Sequence, residues 1–214
     1  MEKAKYIAVE GPIGVGKTSL AECLAREFKG RTMSEEFEEN PFLAGFYSDK
    51  VKYAFQTQIF FLLSRYQQQK TLGQQELFST TVISDYLFAK DRIFAYLNLG
   101  EDELALYEQI FRFLDGTIPK PDLVVYLQAS TEVLKERIRR RNKPYEMNIS
   151  EEYIEDLADA YNKYFFYYND SPLLVVNTTD IDFVESSADL SDLVGEIRSI
   201  KAGIHHYIPL GSRS

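Results

Sequence analysis

Apolar residues along the chain are concentrated in short runs, separated by longer segments that mix polar and apolar positions. The runs are rich in Val, Ile and Leu and do not alternate strictly with polar residues, which is typical of strands buried on both faces of a sheet. They lie at residues 6–10, 81–85, 123–127 and 173–177, and residues 31–36 are a weaker fifth candidate. The pattern therefore predicts about five buried strands.

The segments between these runs have the spacing of amphipathic helices. Apolar side chains recur at helical intervals over residues 55–72, at Phe55, Ile59, Leu62, Leu63 and Tyr66. Further helices are predicted at residues 18–28, 103–114, 131–140, 150–168 and 187–202. Strands that alternate with helices favour a parallel sheet with helices on both faces. We therefore predict an α/β fold, and we expect a single domain over residues 1–214 because no repeat or linker divides the chain.

Composition narrows the class of protein and its partners. The 214 residues are 45% hydrophobic, which is sufficient for one well-formed core. The net charge is −9 without an extended basic tract, and no run approaches the roughly 20 apolar residues of a membrane helix, so nucleic acids and membranes are not expected as partners. The one cysteine, Cys23, excludes an internal disulfide and favours a reducing, cytoplasmic location. The adjacent His205 and His206 favour a solvated tail over a metal site.

Residues 11–18 read GPIGVGKT and fit the phosphate-binding motif G-x-x-x-x-G-K-[ST]. The motif lies between a predicted strand and a predicted helix, as phosphate binding requires. Its glycines allow backbone N–H groups to face phosphate oxygens, Lys17 can reach the terminal phosphates, and Thr18 can bind Mg²⁺. The predicted nucleotide contacts are Gly11, Gly14, Val15, Gly16, Lys17, Thr18 and Ser19. The loop indicates ATP or GTP binding and leaves open whether the phosphate is transferred, hydrolysed or sensed.

An acidic run, comprising Glu35, Glu36, Glu38 and Glu39, follows the second predicted strand. Most such runs are solvated loops. The carboxyl ends of parallel strands, however, line the ligand crevice of an open sheet, and a glutamate there can accept a proton from an attacking hydroxyl. The residues alone leave both interpretations open.

The helix predicted over residues 55–72 presents another candidate group. Gln58 and Arg65 are seven residues apart and share one helix face, whereas Gln56 lies on the opposite face from Arg65. An amide and a guanidinium on one face suit a planar polar ligand. An ordinary amphipathic helix with polar outer residues also accounts for the pattern.

Two aspartates are associated with the predicted strand at residues 81–85. Asp85 ends the strand, at the sheet edge where a carboxylate linked to Mg²⁺ would lie. Asp91 comes six residues later, on a predicted helix or at its entry. Alternatively, both are strand-end carboxylates that cap the next helix.

A basic island in this acidic protein contains Arg137, Arg139, Arg140, Arg141 and Lys143. In a protein with a phosphate loop, arginines can stabilise the charge of a transferring phosphoryl group. The alternative is a solvated helix end, where cations favour the C-terminal dipole.

Taken in this order, the phosphate loop, the EEFEENPFL stretch and the later acidic and basic groups resemble the deoxyribonucleoside kinase family, especially its bacterial deoxyguanosine/deoxyadenosine kinase branch. The resemblance covers nearly the whole chain. It implies that Glu35 is the general base that takes the proton of the sugar 5′-hydroxyl. Gln58 matches the glutamine that binds the substrate, with Tyr47 eleven residues before it and Arg65 seven residues after it.

The resemblance also implies roles for the SDYLFAKDR stretch. Asp85 occupies the acidic position of the family's motif, and Asp91 matches the aspartate that reads the base. Tyr86 occupies the position of an arginine that normally helps to hold phosphate. Arg137 or Arg141 would then supply that charge.

A basic lid is expected at about residues 137–146 by the same resemblance. Glu146 matches the carboxylate that joins Tyr47 at the sugar 3′-hydroxyl. The TTDIDF stretch is similar to the loop that holds the donor base, with Asp182 and Phe183 as the expected contacts.

The resemblance implies a P-loop kinase-type parallel sheet flanked by helices. The implied activity is transfer of the γ-phosphoryl group of ATP to the 5′-hydroxyl of a purine 2′-deoxynucleoside. Lys17, Arg137, Arg141 and a Mg²⁺ ion held by Thr18 and Asp85 would neutralise charge in the transition state. The family also implies a homodimer.

Two other classes of protein use the same loop. A nucleoside monophosphate kinase, such as thymidylate kinase, binds an acceptor phosphate that the acidic run at residues 35–39 would repel. A nucleotide sensor or motor has less need of a Gln/Arg face and a sugar-binding Tyr/Glu pair. From the sequence alone, both classes are alternatives to a nucleoside kinase.

Overall fold

The chain forms two compact units, each built from its own elements. A computed structural model describes residues 5–35, 40–74, 81–142, 149–209 and 211. The sheet unit comprises Met1–Ser34, Phe78–Leu87 and Lys120–Ser214, and the helical unit comprises Glu35–Leu77 and Phe88–Pro119. The single domain stays a prediction, because compact units of this kind can also be parts of one domain.

The sheet unit is built on a parallel sheet. Its strands, in chain order, are β1 (Tyr6–Glu10), β2 (Arg31–Met33), β3 (Val82–Ser84), β4 (Leu123–Gln128), β5 (Leu173–Asn177) and β6 (Ile204–Tyr207). Their order across the sheet is β2-β3-β1-β4-β5-β6, and Ile7 of β1 pairs with Ile83 on one side and Leu123 on the other. β1 lies between β3 and β4, and every residue of it is buried. The phosphate loop therefore begins at the carboxyl end of an interior strand, where ligands bind in open parallel sheets.

The strand at the edge beside β5 was not predicted. Sequence patterns predicted about five strands and placed His205 and His206 in a solvated tail, whereas β6 pairs with β5 over these residues. His205 pairs with Leu174 and His206 with Val175, and both histidines are exposed. An edge strand with exposed polar residues lacks the apolar run that identifies a buried strand, which explains why the pattern missed it.

The described helices belong to one unit or the other. They are α1 (Lys17–Phe28), α2 (Leu43–Ser48), α3 (Lys50–Gln74), α4 (Lys90–Asn98), α5 (Glu101–Asp115), α6 (Thr131–Arg141), α7 (Glu151–Phe166) and α8 (Ser187–Ser199). Ser130, Ser150 and Ser186 cap α6, α7 and α8, since each side chain accepts a hydrogen bond from the N–H three residues on. Among the described helices, none has both the length and the apolar character needed to cross a membrane.

The apolar core of the sheet unit joins the strands to the helices that flank them. Val9 and Leu127 contribute from β1 and β4, Leu20 and Leu24 from α1, and Leu193 from α8, and all five side chains are fully buried. This packing holds α1 against β1. It therefore fixes both ends of the loop that connects them.

The helical unit is organised around α3, which packs against α2, α4 and α5. α3 begins at Lys50 and ends at Gln74, so it is longer than the helix predicted over residues 55–72. α2 and α4 were not predicted, although Asp91, expected on a helix or at its entry, lies in the first turn of α4. With 6 and 9 residues, these helices are too short to give a clear periodic pattern.

Candidate active site

The loop between β1 and α1 has a conformation that requires glycine. Gly14 and Gly16 have φ angles of 83° and 104°, in the left-handed region that favours this residue. A Cβ atom on Gly14 would lie 2.8 Å from Cγ1 of Ile138, and one on Gly16 would lie 3.0 Å from Cζ of Phe183. The bare backbone of the loop thus suits close approach of a phosphate chain to its N–H groups.

Lys17 begins α1 and contacts the loop backbone. Its Nζ donates hydrogen bonds to the carbonyl oxygens of Gly11 at 2.7 Å and Pro12 at 3.1 Å. The ammonium group adds its charge to the positive N-terminal end of α1. The positive potential lies where the motif predicts phosphate, and the catalytic role of Lys17 stays a prediction.

Thr18 and Asp85 form a pair of oxygen groups next to the phosphate loop. The hydroxyl of Thr18 donates to Oδ2 of Asp85 at 2.7 Å. A hydroxyl and a carboxylate are hard oxygen donors, and Mg²⁺ is usually held by one or two such groups together with phosphates and water. The pair therefore fits the Mg²⁺ site predicted from the sequence.

Glu10 supports the start of the loop and was missed by sequence reasoning. Its carboxylate is fully buried and accepts hydrogen bonds from the N–H of Gly11 at 2.9 Å, the N–H of Leu87 at 2.7 Å and the hydroxyl of Tyr161 at 3.0 Å. It thereby ties the loop to the segment after β3 and to α7. The signal for Glu10 in the sequence was its position, at the end of an apolar strand and directly before the first glycine of the motif.

Arg137 and Arg141, the two predicted lid arginines, have different surroundings. Arg137 donates to the hydroxyl of Thr178 at 3.1 Å, to its carbonyl at 2.9 Å, and to the carbonyls of Val15 and Ile181 at 3.3 Å each. Its guanidinium thus links the phosphate loop to the segment after β5, and burial lowers its pKa. Arg141 is exposed at the end of α6.

The two residues expected at the donor base, Asp182 and Phe183, follow β5. Phe183 is buried in the core of the sheet unit, with its ring beside Gly16. Asp182 accepts hydrogen bonds from the N–H groups of Val184 at 3.0 Å and Glu185 at 3.1 Å, and so stabilises the turn that follows. Contact with a nucleotide base stays a prediction for both.

Four predicted substrate residues meet in one hydrogen-bonded network in the helical unit. Arg65 donates from Nε to Oε1 of Glu35 at 2.8 Å and also contacts that oxygen through Nη2. Its Nη1 donates to Oδ2 of Asp91. Gln58 donates from Nε2 to the carbonyl oxygen of Asp91 at 2.9 Å and to Oδ1 of the same residue. Arg65 therefore joins the predicted general base to the predicted base-reading group.

Two further residues complete the network and were not predicted from the sequence. Lys90 donates from Nζ to Oε2 of Glu35 at 2.5 Å, and Tyr107 donates its hydroxyl to Oδ1 of Asp91 at 3.1 Å. Both side chains are buried. The only sequence signal for Lys90 was a charged residue next to Asp91 after the apolar run YLFA, and Tyr107 had none beyond its place in a predicted helix.

The network sets the ionisation of its members. Burial opposes ionisation of Glu35, but the positive charges of Arg65 and Lys90 outweigh it and hold the pKa of this carboxyl well below its usual range. Burial raises the pKa of Asp91 above its ordinary value of 3.8, against the effects of Arg65, Gln58 and Tyr107. Burial, with the adjacent Asp91, also raises the pKa of Tyr107 well above its usual range, so its hydroxyl stays protonated and donates.

The other candidate residues differ in exposure, and some lie outside the described residues. Gln56 is exposed, whereas Gln58 is buried against Asp91. Tyr86, at the position of the family's arginine, is fully buried, with its hydroxyl 3.9 Å from Sδ of Met33. The side chain of Tyr47, on α2, and all of Glu146 and Lys143 lie outside the described residues.

Comparison with known proteins identifies the family. A profile described as "Deoxynucleoside kinase" matches residues 7–201. The chain belongs to the deoxynucleoside kinase family. It is therefore an enzyme that phosphorylates a deoxynucleoside, and the alternatives of a monophosphate kinase and a nucleotide sensor are set aside.

Individual members of the family are similar over most of the chain. Deoxyguanosine kinase of Bacillus subtilis (strain 168) is 35% identical, over 94% of this chain and 99% of its own length. Deoxyadenosine kinase of Dictyostelium discoideum is 37% identical, over 74% of this chain and 66% of its own. A structure of deoxyadenosine kinase from M. mycoides with bound dATP is 26% identical with a TM-score of 0.77, covering 91% of this chain and 100% of that one. The predicted α/β kinase fold is confirmed, and the roles of individual side chains stay predictions.

Proposed function

We propose that this kinase transfers the γ-phosphoryl group of ATP to the 5′-hydroxyl of a purine 2′-deoxynucleoside, deoxyadenosine or deoxyguanosine. The 5′ oxygen bonds to the γ-phosphorus while the bond from that phosphorus to the β,γ-bridging oxygen breaks. ADP leaves with that electron pair, and the hydroxyl proton goes to Glu35. The observation that carries the proposal is the network of Glu35, Arg65, Asp91 and Gln58 in a chain that also contains a complete phosphate loop.

ATP is assigned to the sheet unit. The N–H groups of the glycine-rich loop and the ammonium of Lys17 neutralise the β- and γ-phosphates. When bound, Mg²⁺ supplies further neutralisation of the phosphate oxygens, and Thr18 and Asp85 would hold it, because their oxygens are 2.7 Å apart beside the loop. Arg137 keeps the loop in place through the carbonyl of Val15, and Arg141 supplies charge in the transition state.

The acceptor is assigned to the helical unit, with Glu35 as its base. Two cations hold this carboxylate ionised, so it accepts the hydroxyl hydrogen throughout the physiological pH range. A carboxylate with a depressed pKa is a weak base. The transition state of phosphoryl transfer is loose, however, and mainly requires that the hydroxyl be oriented, with the proton leaving late.

The donors and acceptors around Asp91 support a purine acceptor. Both partners of Gln58 Nε2 are acceptors, so the amide presents its oxygen Oε1 to an N–H group of the base. Arg65 offers donors that suit N7 or O6 of a purine. Adenine has an exocyclic amino group and guanine has two kinds of N–H group, and the similar proteins include a deoxyguanosine kinase and a deoxyadenosine kinase.

A substrate panel tests the proposal. The protein is incubated with ATP, Mg²⁺ and deoxyadenosine, deoxyguanosine, deoxycytidine or thymidine, and ADP and the nucleoside 5′-monophosphate are quantified by chromatography. We expect kcat/KM for a purine deoxynucleoside to exceed that for thymidine by at least about tenfold. Thymidine as the best substrate would contradict the purine assignment. Faster phosphorylation of deoxyadenosine 5′-monophosphate than of deoxyadenosine would contradict the acceptor class.

We further propose that the enzyme is a cytoplasmic, Mg²⁺-dependent homodimer. Large apolar side chains on α3 and α5 of the helical unit support a subunit interface, because Leu63, Leu106 and Phe113 are 45%, 49% and 75% exposed. Sedimentation velocity at micromolar protein tests the dimer, and a monomer alone would contradict it. Removal of divalent ions with EDTA should abolish turnover, and added Mg²⁺ should restore it.

A further inference from the structure

Lys90 is a buried lysine whose ammonium contacts one oxygen of the proposed base. It begins α4, is 4% exposed, and donates from Nζ to Oε2 of Glu35 at 2.5 Å. Burial of a lysine is unfavourable unless the charge is paired, so the contact with Glu35 accounts for its position. The same carboxylate also binds a second cation, Arg65.

Arg65 contacts only one of the two oxygens of Glu35 in the described bonds. Nε donates to Oε1 at 2.8 Å, and Nη2 contacts Oε1 as well. Arginine frequently binds a carboxylate side-on instead, with one N–H group to each oxygen. Lys90 binds the other oxygen, Oε2, so each of the two cations holds one oxygen of the carboxylate in the described bonds.

The charges of the network are balanced before the reaction. Glu35 and Asp91 supply the negative charges, and Arg65 and Lys90 supply the positive charges. Protonation of Glu35 would leave a net positive charge in a largely buried site. Lys90 therefore favours release of the proton and return of Glu35 to its ionised form.

We infer that Lys90 is a positioning residue for phosphoryl transfer, which holds Oε2 of Glu35 directed to receive the proton of the acceptor hydroxyl. A carboxylate oxygen has two acceptor positions, so an ammonium N–H and a hydroxyl can bond to Oε2 together. This inference rests on the proposed function, in which Glu35 is the base. Lys90 acts on the reaction through Glu35.

Chemical rescue tests whether the ammonium itself is needed. Lys90→Ala should lower kcat at saturating substrates at least about tenfold, with KM for ATP within about twofold, because the loss affects the position of Glu35 rather than the binding of ATP. Added ethylammonium or propylammonium should restore a saturable part of kcat, and propanol, which has similar bulk without charge, should not. Lys70→Ala, an exposed lysine on α3, is the matched control and should behave like the native protein in every condition.

The outcomes separate this inference from the function on which it rests. Native kcat in Lys90→Ala, or loss of kcat that ammonium does not rescue, would overturn the inference while leaving the kinase proposal intact. If Glu35→Gln had the turnover of the native protein, Glu35 would not be the base, and the inference about Lys90 would also be wrong. We expect the added ammonium compounds to restore kcat in Lys90→Ala. We expect Glu35→Gln to be inactive and not to be rescued by them.

A second variant serves if Lys90→Ala does not fold. Lys90→Met keeps the apolar stem, and its pH profile of kcat/KM reports the ionisation of Glu35. The described charged groups that face Glu35 are Arg65 from α3 and Lys90 from α4, with Asp91 reached through Arg65. Loss of one adjacent cation should move the acid limb of the profile to higher pH by about one unit or more. An acid limb identical to that of the native protein would overturn the inference.

Discussion

The hydroxyl of Tyr107 donates a hydrogen bond to Oδ1 of Asp91 at 3.1 Å, joining α5 to α4. Asp91 therefore accepts from three side chains, those of Gln58, Arg65 and Tyr107. The sequence left two roles open for this aspartate, which were to read the base or to cap the next helix. Its oxygens bond to these donors, so Asp91 fixes the positions of the Gln58 and Arg65 side chains, and contact of this group with a base stays a prediction.

The first prediction concerns Tyr107. Tyr107→Phe removes one donor to a fully buried carboxylate, so it should lower the free energy of unfolding by about 1.5–3 kcal/mol, the usual range for a hydrogen bond to a charged group. It should also lower kcat/KM for the preferred deoxynucleoside several-fold while KM for ATP is unchanged. Urea unfolding and steady-state kinetics measure the two effects. Tyr96→Phe, which removes only a long, exposed hydrogen bond from Arg92 at 3.4 Å, is the control and should change both quantities much less.

The second prediction concerns the proposed base. Glu35→Gln keeps the size of the side chain but cannot accept a proton, so turnover should fall by roughly 10²–10⁴. The dissociation constant for the deoxynucleoside, measured by calorimetry without ATP, should stay within a few-fold of the native value. Turnover close to that of the native protein would remove the role from Glu35.

The third prediction concerns the basic end of α6. Arg141→Ala should lower kcat more than it raises KM for the deoxynucleoside or for ATP, because its charge is needed mainly in the transition state. Arg139→Ala is a close control, since Arg139 lies on the same helix and pairs with Glu151. Equal kcat with weaker ATP binding in Arg141→Ala would show a ground-state role instead.

The fourth prediction concerns stability at acidic pH. Arg65 and Lys90 hold the pKa of Glu35 in the folded protein below its ordinary value of 4.5, so the unfolded chain binds this proton more readily. The stabilisation from Glu35 is thus fully present above about pH 5.5 and is lost as the pH falls below 4.5, by at most about 1.4 kcal/mol per pH unit. The measurement is the difference in free energy of unfolding between the native protein and Glu35→Gln from pH 7 to pH 3.5. A difference that is constant over this range would contradict the ion pairs described for Glu35.

Much of the fold was predictable because its signals are local. Each interior strand is marked by its own apolar run, and the glycines at 14 and 16 are needed for the backbone angles of a single loop. The interval between Gln58 and Arg65 placed both on one face of a helix, and the structure joins both to Asp91. β6 escaped prediction because an exposed edge strand has no apolar run of its own.

By itself, the sequence determined the type of fold, the phosphate loop and which residue types face one another along a helix, since these depend on neighbours a few positions apart. Only the tertiary structure decided which charged groups pair with which partners. Lys90 is 55 residues from Glu35, and Tyr107 is 16 residues from Asp91 on another helix. The Tyr107–Asp91 pair forms because α4 and α5 pack together. The Lys90–Glu35 pair forms because a charge buried away from water requires a partner. No periodicity in the chain records that requirement, because it arises from burial rather than from spacing.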